Sequence, residues 1–163
     1  MQNQAQEKGR WLTLTDLLAV QKLLSDRQLA LTAGITLVAD QNIQTWALNN
    51  WLNQQRLWGI WQGSELIGLL SAFPLADQQV ELGYLLQREQ WGKGIMTRAL
   101  QEFLTQNPGP IYQATAKKEN LASQKVLLKV GFKVINRGNN EITYRFWESR
   151  SGFFTCIKKR SSL

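Results

Sequence analysis

The sequence contains no histidine among its 163 residues. A catalytic triad built on an imidazole is therefore excluded, and so are most sites for zinc and other transition metals, which rely on histidine ligands. An enzyme of this composition has to move protons with carboxylates, hydroxyl groups, the phenol of a tyrosine or water. We therefore expect no metal cofactor.

Cysteine and long apolar runs are also scarce. Cys156 is the only cysteine, so the chain forms no internal disulfide, which is typical of a reducing cytoplasm. No apolar run reaches the length of about 18 residues that a membrane-spanning helix needs. The polar opening MQNQAQEKGRWLTLTD lacks the hydrophobic core of a secretory signal. We therefore expect a cytoplasmic protein without a membrane partner.

Positive charge exceeds negative charge, but the excess is unevenly distributed. The formal net charge is +7, four basic residues lie in the acid-free segment 150–163, and residues 88–133 hold eight basic side chains against three acidic ones. A solvated surface and a pocket for a polyanionic cofactor explain this distribution equally well. The distribution weakens a nucleic-acid-binding interpretation, so we expect no nucleic-acid partner.

The hydrophobic pattern predicts one domain, residues 1–149, and a basic tail, residues 150–163, which we expect to be flexible. The early elements are a strand over Arg10–Thr15 and a helix over Leu17–Leu29 with Asp16 as its N-cap. The complete predicted order is strand, two helices, three strands, helix, strand, helix and two strands. This order is typical of an α/β (α+β) protein with a mixed sheet and flanking helices.

Turn and capping residues mark the later boundaries. Asp40 is a predicted N-cap for the second helix, and Gly63-Ser64 predicts a two-residue hairpin turn. The third helix is expected to stop near Asn107-Pro108, and Gly131 suits the C′ position of the last helix. A final hairpin is expected around Arg137-Gly138-Asn139-Asn140.

A glycine-bearing segment, Trp91-Gly92-Lys93-Gly94-Ile95-Met96, joins the strand-like run QVELGYLLQ to an amphipathic helical run. Such a turn leaves backbone N–H groups unpaired at the start of a helix, where the macrodipole favours anionic oxygens. The segment lacks the third glycine of a dinucleotide-binding site and the Gly-Lys-Ser/Thr of a P-loop. Alone, Gly-x-Gly more often makes a tight turn than a phosphate site.

A second motif lies at Asn120 and Ser123. These residues are three apart, so they share one helix face with Leu127 and Val130, and Gly131-Phe132 follows. For either residue alone, a helix cap or a surface hydroxyl is the better interpretation. Together with the upstream glycine segment, the pair favours a ligand site.

The segments ELGYLLQREQWGKGIMTRAL and NLASQKVLLKVGF resemble the two cofactor motifs of the GNAT N-acetyltransferase superfamily. Within it, they are most similar to the RimJ/RimL-like branch of ribosomal-protein N-terminal acetyltransferases. The resemblance is strong over residues 80–132, and the element order extends a weaker one over residues 10–147. It implies a GNAT-like, mostly antiparallel sheet with splayed central strands, acetyl-CoA as co-substrate and no metal.

The resemblance also implies which residues hold coenzyme A. The glycine turn wraps the pyrophosphate with N–H groups, the preceding strand pairs with the pantetheine amides, and Asn120 bonds the pantetheine arm. Lys93, Arg98 and Lys125 are candidates for the phosphates, and Met96, where the family has a small residue, is expected to narrow the approach. The full set of cofactor candidates is Tyr84, Leu85, Leu86, Trp91, Gly92, Lys93, Gly94, Ile95, Met96, Arg98, Asn120, Ser123 and Lys125.

For the chemistry, the resemblance implies direct attack of an amine on the thioester in a ternary complex. Ser123 is the candidate hydroxyl for the leaving thiolate, because Leu127 stands where many family members carry a tyrosine. Glu81 is the candidate base, acting through water, although an exposed carboxylate at a strand end explains it equally well. A backbone N–H near Leu85 or Leu86 is the expected donor to the oxyanion.

The acceptor is predicted from the pKa values of the candidate amines. A protein α-amine has a pKa of about 7.7–8.0 and a lysine about 10.4, so a weak base acting through water suits an N-terminus better. We therefore predict a protein or peptide N-terminal α-amine as the acceptor, and a monomer or homodimer as the enzyme. The alternatives are a small-molecule amine, such as an antibiotic or an amino acid, and a non-catalytic acyl-CoA-binding module.

Overall fold

The computed structural model describes residues 7–32, 35, 38–76 and 78–147 of the chain. These residues form one seven-stranded sheet with helices on both faces and two short 3-10 turns, at Leu14–Asp16 and Arg88–Gln90. In chain order the elements are β1 (Glu7–Trp11), α1 (Leu17–Leu24), α2 (Arg27–Thr32), α3 (Gln41–Asn53), β2 (Leu57–Gln62), β3 (Glu65–Pro74), β4 (Gln79–Leu86), α4 (Ile95–Gln106), β5 (Ile111–Lys117), α5 (Leu121–Val130), β6 (Lys133–Arg137) and β7 (Glu141–Phe146).

The strand order across the sheet is β1-β2-β3-β4-β5-β7-β6. Neighbouring strands are antiparallel, except β4 and β5, which pair in parallel. Parallel strands need a long crossover connection, and α4 provides it between the end of β4 and the start of β5. The predicted mixed, mostly antiparallel sheet with flanking helices is confirmed.

The central strands β4 and β5 pair over a short distance only. Their ladder covers Gln79–Glu81 against Ile111–Gln113 and then stops. Beyond it, β4 continues to Leu86 paired with β3, and β5 continues to Lys117 paired with β7. The two strands therefore diverge toward their carboxyl ends, and the predicted splay is confirmed.

Two apolar cores lie on opposite faces of the sheet. On one face, Phe103 of α4 and Leu127 of α5 belong to the same cluster as Leu82 of β4. On the other face, Leu48 of α3 belongs to the same cluster as Leu85 of β4. Successive side chains of a strand point to opposite faces, so even-numbered side chains of β4 face α4 and α5, and odd-numbered ones face α1–α3.

The predicted first strand is displaced toward the N-terminus, and the cap predicted after it is confirmed in position but not in its bonding, because Asp16 is the N-cap residue of α1 but makes no side-chain cap bond. β1 ends at Trp11, and the chain then turns, because the Asp16 carboxylate accepts from the Thr13 N–H at 2.9 Å and from the Arg10 guanidinium at 2.7 and 2.8 Å. The guanidinium lowers the pKa of Asp16 below its ordinary value, although burial opposes this. The carboxylate is therefore engaged with β1 and the turn, and its side chain does not cap α1.

The predicted single helix over Leu17–Leu29 is two helices. Ser25 Oγ donates to the Lys22 carbonyl at 2.7 Å at the end of α1, and Asp26 Oδ1 accepts from the Leu29 N–H at 3.0 Å at the start of α2. Serine and aspartate favour such local bonds to backbone groups over the interior of a helix. Three helices therefore precede β2 instead of two.

The other cap and turn predictions are confirmed. Asp40 accepts from the N–H groups of Asn42 at 2.8 Å and Ile43 at 3.2 Å, and so caps α3. Gly63 takes a φ of +60° between β2 and β3, and Gly131 takes a φ of +107° after α5. The helix that was expected to stop near Asn107-Pro108 ends at Gln106, and the last two strands form a hairpin.

The described residues do not include the predicted basic tail. Residues 150–163 lie outside the described ranges, so the division of the chain into a domain over residues 1–149 and a tail stays a prediction. Among the helices that the structure describes, none is long and apolar enough to cross a membrane.

Gly9 of β1 offers a test of this packing. The fully buried Trp58 indole lies against Gly9, and a Cβ added there would overlap its ring. Trp58 also packs edge to face on Phe103 of α4, with ring centroids 5.8 Å apart. Gly9→Ala should therefore lower the free energy of unfolding by about 1–3 kcal/mol through overpacking, read from the urea midpoint at unchanged m-value.

Gly138→Ala is the control for Gly9→Ala. A Cβ added at Gly138 meets the Glu141 carbonyl oxygen at an ordinary 3.4 Å, so its free energy of unfolding should stay within about 0.5 kcal/mol of the wild type. A wild-type midpoint for Gly9→Ala would contradict the close packing of Trp58 on β1.

Candidate active site

The splay between β4 and β5 opens a cleft of about 510 Å³. On the face of the sheet that α4 and α5 cover, the cleft is lined by Tyr84 of β4, by Ser123 of α5 and by Asn120, which precedes α5. Tyr84 packs against the core on that face. All three residues are among the predicted site residues, and the structure brings them together.

The opposite face contributes a different set of side chains. The cleft is lined there by Trp51, Phe73 and Glu81. Trp51 packs edge to face on Phe73, with centroids 5.2 Å apart, and Phe73 lies directly opposite Glu81 in the register of β3 and β4. Glu81 is exposed, so its carboxylate reaches the cleft from the face opposite to Tyr84 and Ser123.

The backbone of β4 presents alternate residues to the cleft. Gln87 N–H donates to Ile67 of β3 at 2.8 Å, whereas the Gln78 carbonyl accepts from Ile111 of β5 at 3.2 Å. Because these directions alternate along a strand, Tyr84 and Leu86 direct their N–H and C=O groups toward β5. The β5 ladder ends at Glu81, so among the described strands these groups have no ladder partner on that side.

Leu85 behaves differently from its two neighbours. Its carbonyl oxygen lies so close to Gly68 of β3 that a Cβ added to Gly68 would meet it at 2.7 Å. Its backbone groups therefore face β3, away from the splay. This direction does not support Leu85 as a donor to the oxyanion or a partner of pantetheine, whereas the directions of Tyr84 and Leu86 suit both roles, and the site itself stays a prediction.

The side chain of Trp91 ties the glycine turn to the end of β4. Its indole N–H donates to the Leu86 carbonyl oxygen at 2.7 Å. The indole is 54% exposed, so this bond, and not burial, orients it. The turn is thereby held beside the open end of the cleft. The Leu86 carbonyl is used in this bond, so only the Leu86 N–H is left for another partner.

The glycine turn leaves the start of α4 open. Gly92 and Gly94 both have a φ of +74°, a conformation that glycine adopts without strain. Gly94 is the N-cap of α4 and has no side chain to cap it, and the first helical bond runs from the Arg98 N–H to the Gly94 carbonyl at 3.1 Å. The N–H groups of Ile95, Met96 and Thr97 therefore point into the turn, where the helix dipole favours an anion.

The side chain of Met96 does not narrow this turn, contrary to the expectation. Met96 is 7% exposed and belongs to the core cluster that α4 forms with the sheet. Around Gly92, no atom of the described residues other than Gly92 itself and its two chain neighbours lies within 4 Å of an added Cβ. The approach to the N–H groups is therefore open.

Two of the three predicted phosphate-binding cations lie at the turn. Lys93 is exposed, and its Nζ donates to Gln90 Oε1 at 3.0 Å. Arg98 donates to the Lys93 carbonyl at 3.1 Å and forms an ion pair with Glu7 at 3.2 Å. Lys125 is exposed on α5, and no hydrogen bond or ion pair among the described residues connects it to the turn. Arg98 would have to leave Glu7 in order to meet a phosphate.

A hydrogen-bonded chain connects Tyr84, Ser123 and Asn120. Tyr84 Oη lies 2.7 Å from Ser123 Oγ, and the Ser123 N–H donates to Asn120 Oδ1 at 3.0 Å. Asn120 therefore caps α5, which is the structural role considered for it, and also lines the cleft. Burial raises the pKa of Tyr84 to about 12, although the bond to Ser123 opposes the rise.

Two features of the site cannot be predicted from the sequence patterns. The period-two pattern of β4 assigns Tyr84 to the face of Leu82 and Leu86, but it does not reveal Ser123, 39 residues later, as the partner of its phenol. The Trp91 indole bond to Leu86 is equally hidden, because it depends on the shape of the turn. Among the described residues, no cluster of three acidic or cysteine side chains is placed to hold a metal ion.

Comparison with known proteins gives one family match. A family model described as "Acetyltransferase (GNAT) domain" matches residues 10–133, most of the chain. No curated protein matches the chain by sequence. Residues 10–133 include part of β1, the glycine turn and the cleft-lining residues except Glu141.

Solved structures agree on the fold. An acetyltransferase of the GNAT family from Bacillus anthracis superposes with a TM-score of 0.67 at 19% identity, covering 86% of this chain and 94% of that one. A ribosomal-protein alanine acetyltransferase from Vibrio fischeri gives 0.68 at 18% identity, covering 86% and 92%. RimL, a ribosomal α-N-protein acetyltransferase in complex with coenzyme A, gives 0.69 at 17% identity, covering 86% and 93%. At these identities the likeness shows a shared fold.

Proposed function

The chain belongs to the GNAT acetyltransferase family, whose members transfer an acetyl group from acetyl-CoA to an amine, and we propose that its acceptor is a protein or peptide N-terminal α-amine. The observation that carries the proposal is the cleft itself, which has an exposed carboxylate, Glu81, on one face of the sheet and a hydroxyl pair, Tyr84 and Ser123, on the other. An amine entering beside Glu81 meets the thioester at the splay, and the thiolate leaves toward Ser123.

The chain's residues fit coenzyme A in three places. The open N–H groups of Ile95, Met96 and Thr97 suit the pyrophosphate, with the exposed Lys93 beside them. The backbone groups of Tyr84 and the N–H of Leu86 suit the two amides of pantetheine, which would add to β4 like a strand; the Leu86 carbonyl is bonded by the Trp91 indole. The amide nitrogen of Asn120, whose Oδ1 is used by α5, suits the pantetheine arm, and Arg98 and Lys125 are further phosphate candidates.

The proposed mechanism assigns one task to each group around the cleft. Glu81 accepts, through water, the proton that the attacking amine loses. The N–H of Leu86 or Tyr84 donates to the carbonyl oxygen of the thioester as negative charge develops there. The Ser123 hydroxyl donates to the sulfur as the carbon–sulfur bond breaks. None of these tasks needs a histidine or a metal.

Acidity favours an α-amine over a lysine as the acceptor. At pH 7, about one α-amine in ten is neutral, but fewer than one lysine in a thousand, given pKa values of about 7.7–8.0 and 10.4. A carboxylate that acts through water is a weak base, so it suits the amine that is already partly neutral. RimL, which shares this fold, is itself an α-N-protein acetyltransferase.

Four further expectations stay predictions. They are the cytoplasmic location, the absence of a nucleic-acid partner, the absence of a membrane partner and the monomeric or homodimeric state. The family match argues against the non-catalytic acyl-CoA-binding module, and the small-molecule acceptor is an outcome of the acceptor test below.

The cofactor site is tested with Gly94→Val. A β-branched residue at a φ of +74° is strained, and its side chain would enter the turn, where an added Cβ already lies 3.1 Å from the Arg98 guanidinium. We expect the affinity for acetyl-CoA, measured by isothermal titration, to fall at least about tenfold, or about 1.4 kcal/mol.

Gly63→Val is the matched control for the cofactor test. Gly63 has a similar φ of +60° in the β2–β3 hairpin, with no atom of the described residues within 4 Å of an added Cβ. The same kind of strain should leave the dissociation constant for acetyl-CoA unchanged. If Gly94→Val binds as the wild type does, the glycine turn is not the pyrophosphate site.

The base is tested with Glu81→Gln. The amide keeps the shape of the side chain but accepts no proton, so kcat should fall by about 10²-fold while the affinity for acetyl-CoA is kept. Glu119→Gln, at another exposed carboxylate in the loop before α5, should leave kcat unchanged. A wild-type kcat for Glu81→Gln would mean that Glu81 is only a carboxylate at the end of a strand.

The acceptor is tested with a peptide that has a free N-terminus and one internal lysine, compared with the same peptide blocked at its N-terminus. We expect mass spectrometry to find the acetyl group on the α-amine of the first peptide and none on the second. The subsaturating rate should rise with pH up to about 7.7–8.0, as the α-amine loses its proton. An N-terminal acceptor would be refuted if the lysine were acetylated in both peptides. It would also be refuted if the enzyme acetylated a free amino acid or an aminoglycoside and neither peptide.

A further inference from the structure

Tyr84 brings a phenol to Ser123 from a separate part of the fold. Tyr84 lies on β4 and Ser123 on α5, 39 residues apart, and Tyr84 Oη is 2.7 Å from Ser123 Oγ. Both side chains line the cleft. On α5 itself, the position one turn after Ser123 is the buried Leu127, which offers no hydroxyl. The phenol beside Ser123 therefore comes from the sheet and not from the helix.

Either hydroxyl can be the donor in the bond between Tyr84 Oη and Ser123 Oγ, and the direction decides what Ser123 can do next. Tyr84 Oη has two acceptors on Ser123, the hydroxyl oxygen at 2.7 Å and the carbonyl oxygen at 3.2 Å. A distance near 2.7–2.8 Å is the usual one for a hydroxyl-to-hydroxyl bond, and 3.2 Å is long. With the phenol donating to Ser123 Oγ, the serine proton is free to point into the cleft, where it can meet a third atom.

The acidity of the two partners decides what the phenol contributes. A thiol has a pKa of about 8.5, and the pKa of Tyr84 is about 12. Complete transfer of the phenol proton to a thiolate of similar acidity to cysteine is thus unfavourable. The phenol therefore keeps its proton and acts as a hydrogen-bond donor, and a donor to Ser123 Oγ makes the serine O–H a stronger donor in turn.

We propose that Tyr84 is a positioning residue for Ser123, holding and polarising its hydroxyl so that it donates to the sulfur of coenzyme A. The inference rests on the proposed function, in which the amine nitrogen bonds to the carbonyl carbon and the carbon–sulfur bond breaks. The electron pair of the broken bond goes to the sulfur, and the amine proton goes through water to Glu81. The thiolate is stabilised by Ser123 and takes its proton later from solvent.

A kinetic double-mutant cycle tests this coupling. The variants are Tyr84→Phe, Ser123→Ala and the pair together, assayed for kcat and for KM of acetyl-CoA. Tyr84→Phe should lower kcat about tenfold and leave KM within about twofold, because it keeps the ring and the backbone. The double variant should be no slower than Ser123→Ala, since Tyr84 acts only through Ser123.

Tyr112→Phe is the matched control for Tyr84→Phe. Tyr112 is a buried tyrosine on β5, and its phenol donates to the Asn107 carbonyl at 2.7 Å. It does not line the cleft. Removing its hydroxyl should leave kcat and KM unchanged. Independent, multiplicative losses in the Tyr84–Ser123 cycle, or a wild-type kcat for Tyr84→Phe, would overturn the proposal.

A second readout needs no acceptor and so separates this proposal from the proposed function. The thiol of bound coenzyme A is titrated by its thiolate absorbance in the wild type, Tyr84→Phe, Ser123→Ala and Tyr112→Phe. Donation from Ser123 should lower the thiol pKa below that of free coenzyme A, and both Tyr84→Phe and Ser123→Ala should raise it again. A thiol pKa equal in all four proteins would overturn the role of Tyr84, even if peptide N-termini are acetylated. A lowered pKa that Tyr84→Phe raises would support it, even if the acceptor is another amine.

Discussion

The early end of the ladder between β4 and β5 is the constraint on which the site depends. The pairing stops at Glu81, while both strands continue. Tyr84 and Leu86 consequently keep backbone groups that no described strand satisfies on that side. A backbone group left unpaired away from water is costly, so a ligand with amides of its own is well suited to this edge. The cleft is thus a place where the sheet itself is incomplete.

The same divergence places two kinds of chemistry on two faces of one sheet. Residues 81 and 84 are three apart on a strand, so alternation directs the Glu81 carboxylate toward α1–α3 and the Tyr84 phenol toward α5. A base and a hydroxyl donor that lay on one face would bond each other. Separated by the sheet, each can reach the same small volume, which is what a transfer between two substrates needs.

The turn after β4 is a feature that can be predicted from the local sequence. Gly92 and Gly94 permit the positive φ angles that open the start of α4, and this follows from two letters of sequence. Asp40 and Gly131 are predictable for the same reason, because their partners lie within a few residues. The position of Asp16 before α1 was also predictable, but its bond to the Arg10 guanidinium of β1 was not. The break between α1 and α2 depends on two local bonds that compete with a continuous helix.

The order of the strands along the chain, the mixed sheet, the caps of α3 and α5 and the two motifs could be predicted from the sequence, since periodicity, glycine and short-range hydrogen bonds act between near neighbours. Three features depend on how distant elements pack: which backbone groups of β4 face the splay, the burial of Met96 in the core, and the contact between the Tyr84 phenol and Ser123. The physical reason is the separation in sequence between the groups that interact. A side chain's direction is set by packing against elements distant in sequence, and a hydrogen bond 2.7 Å long across 39 residues exists only once β4 and α5 have been placed on the same face of the sheet.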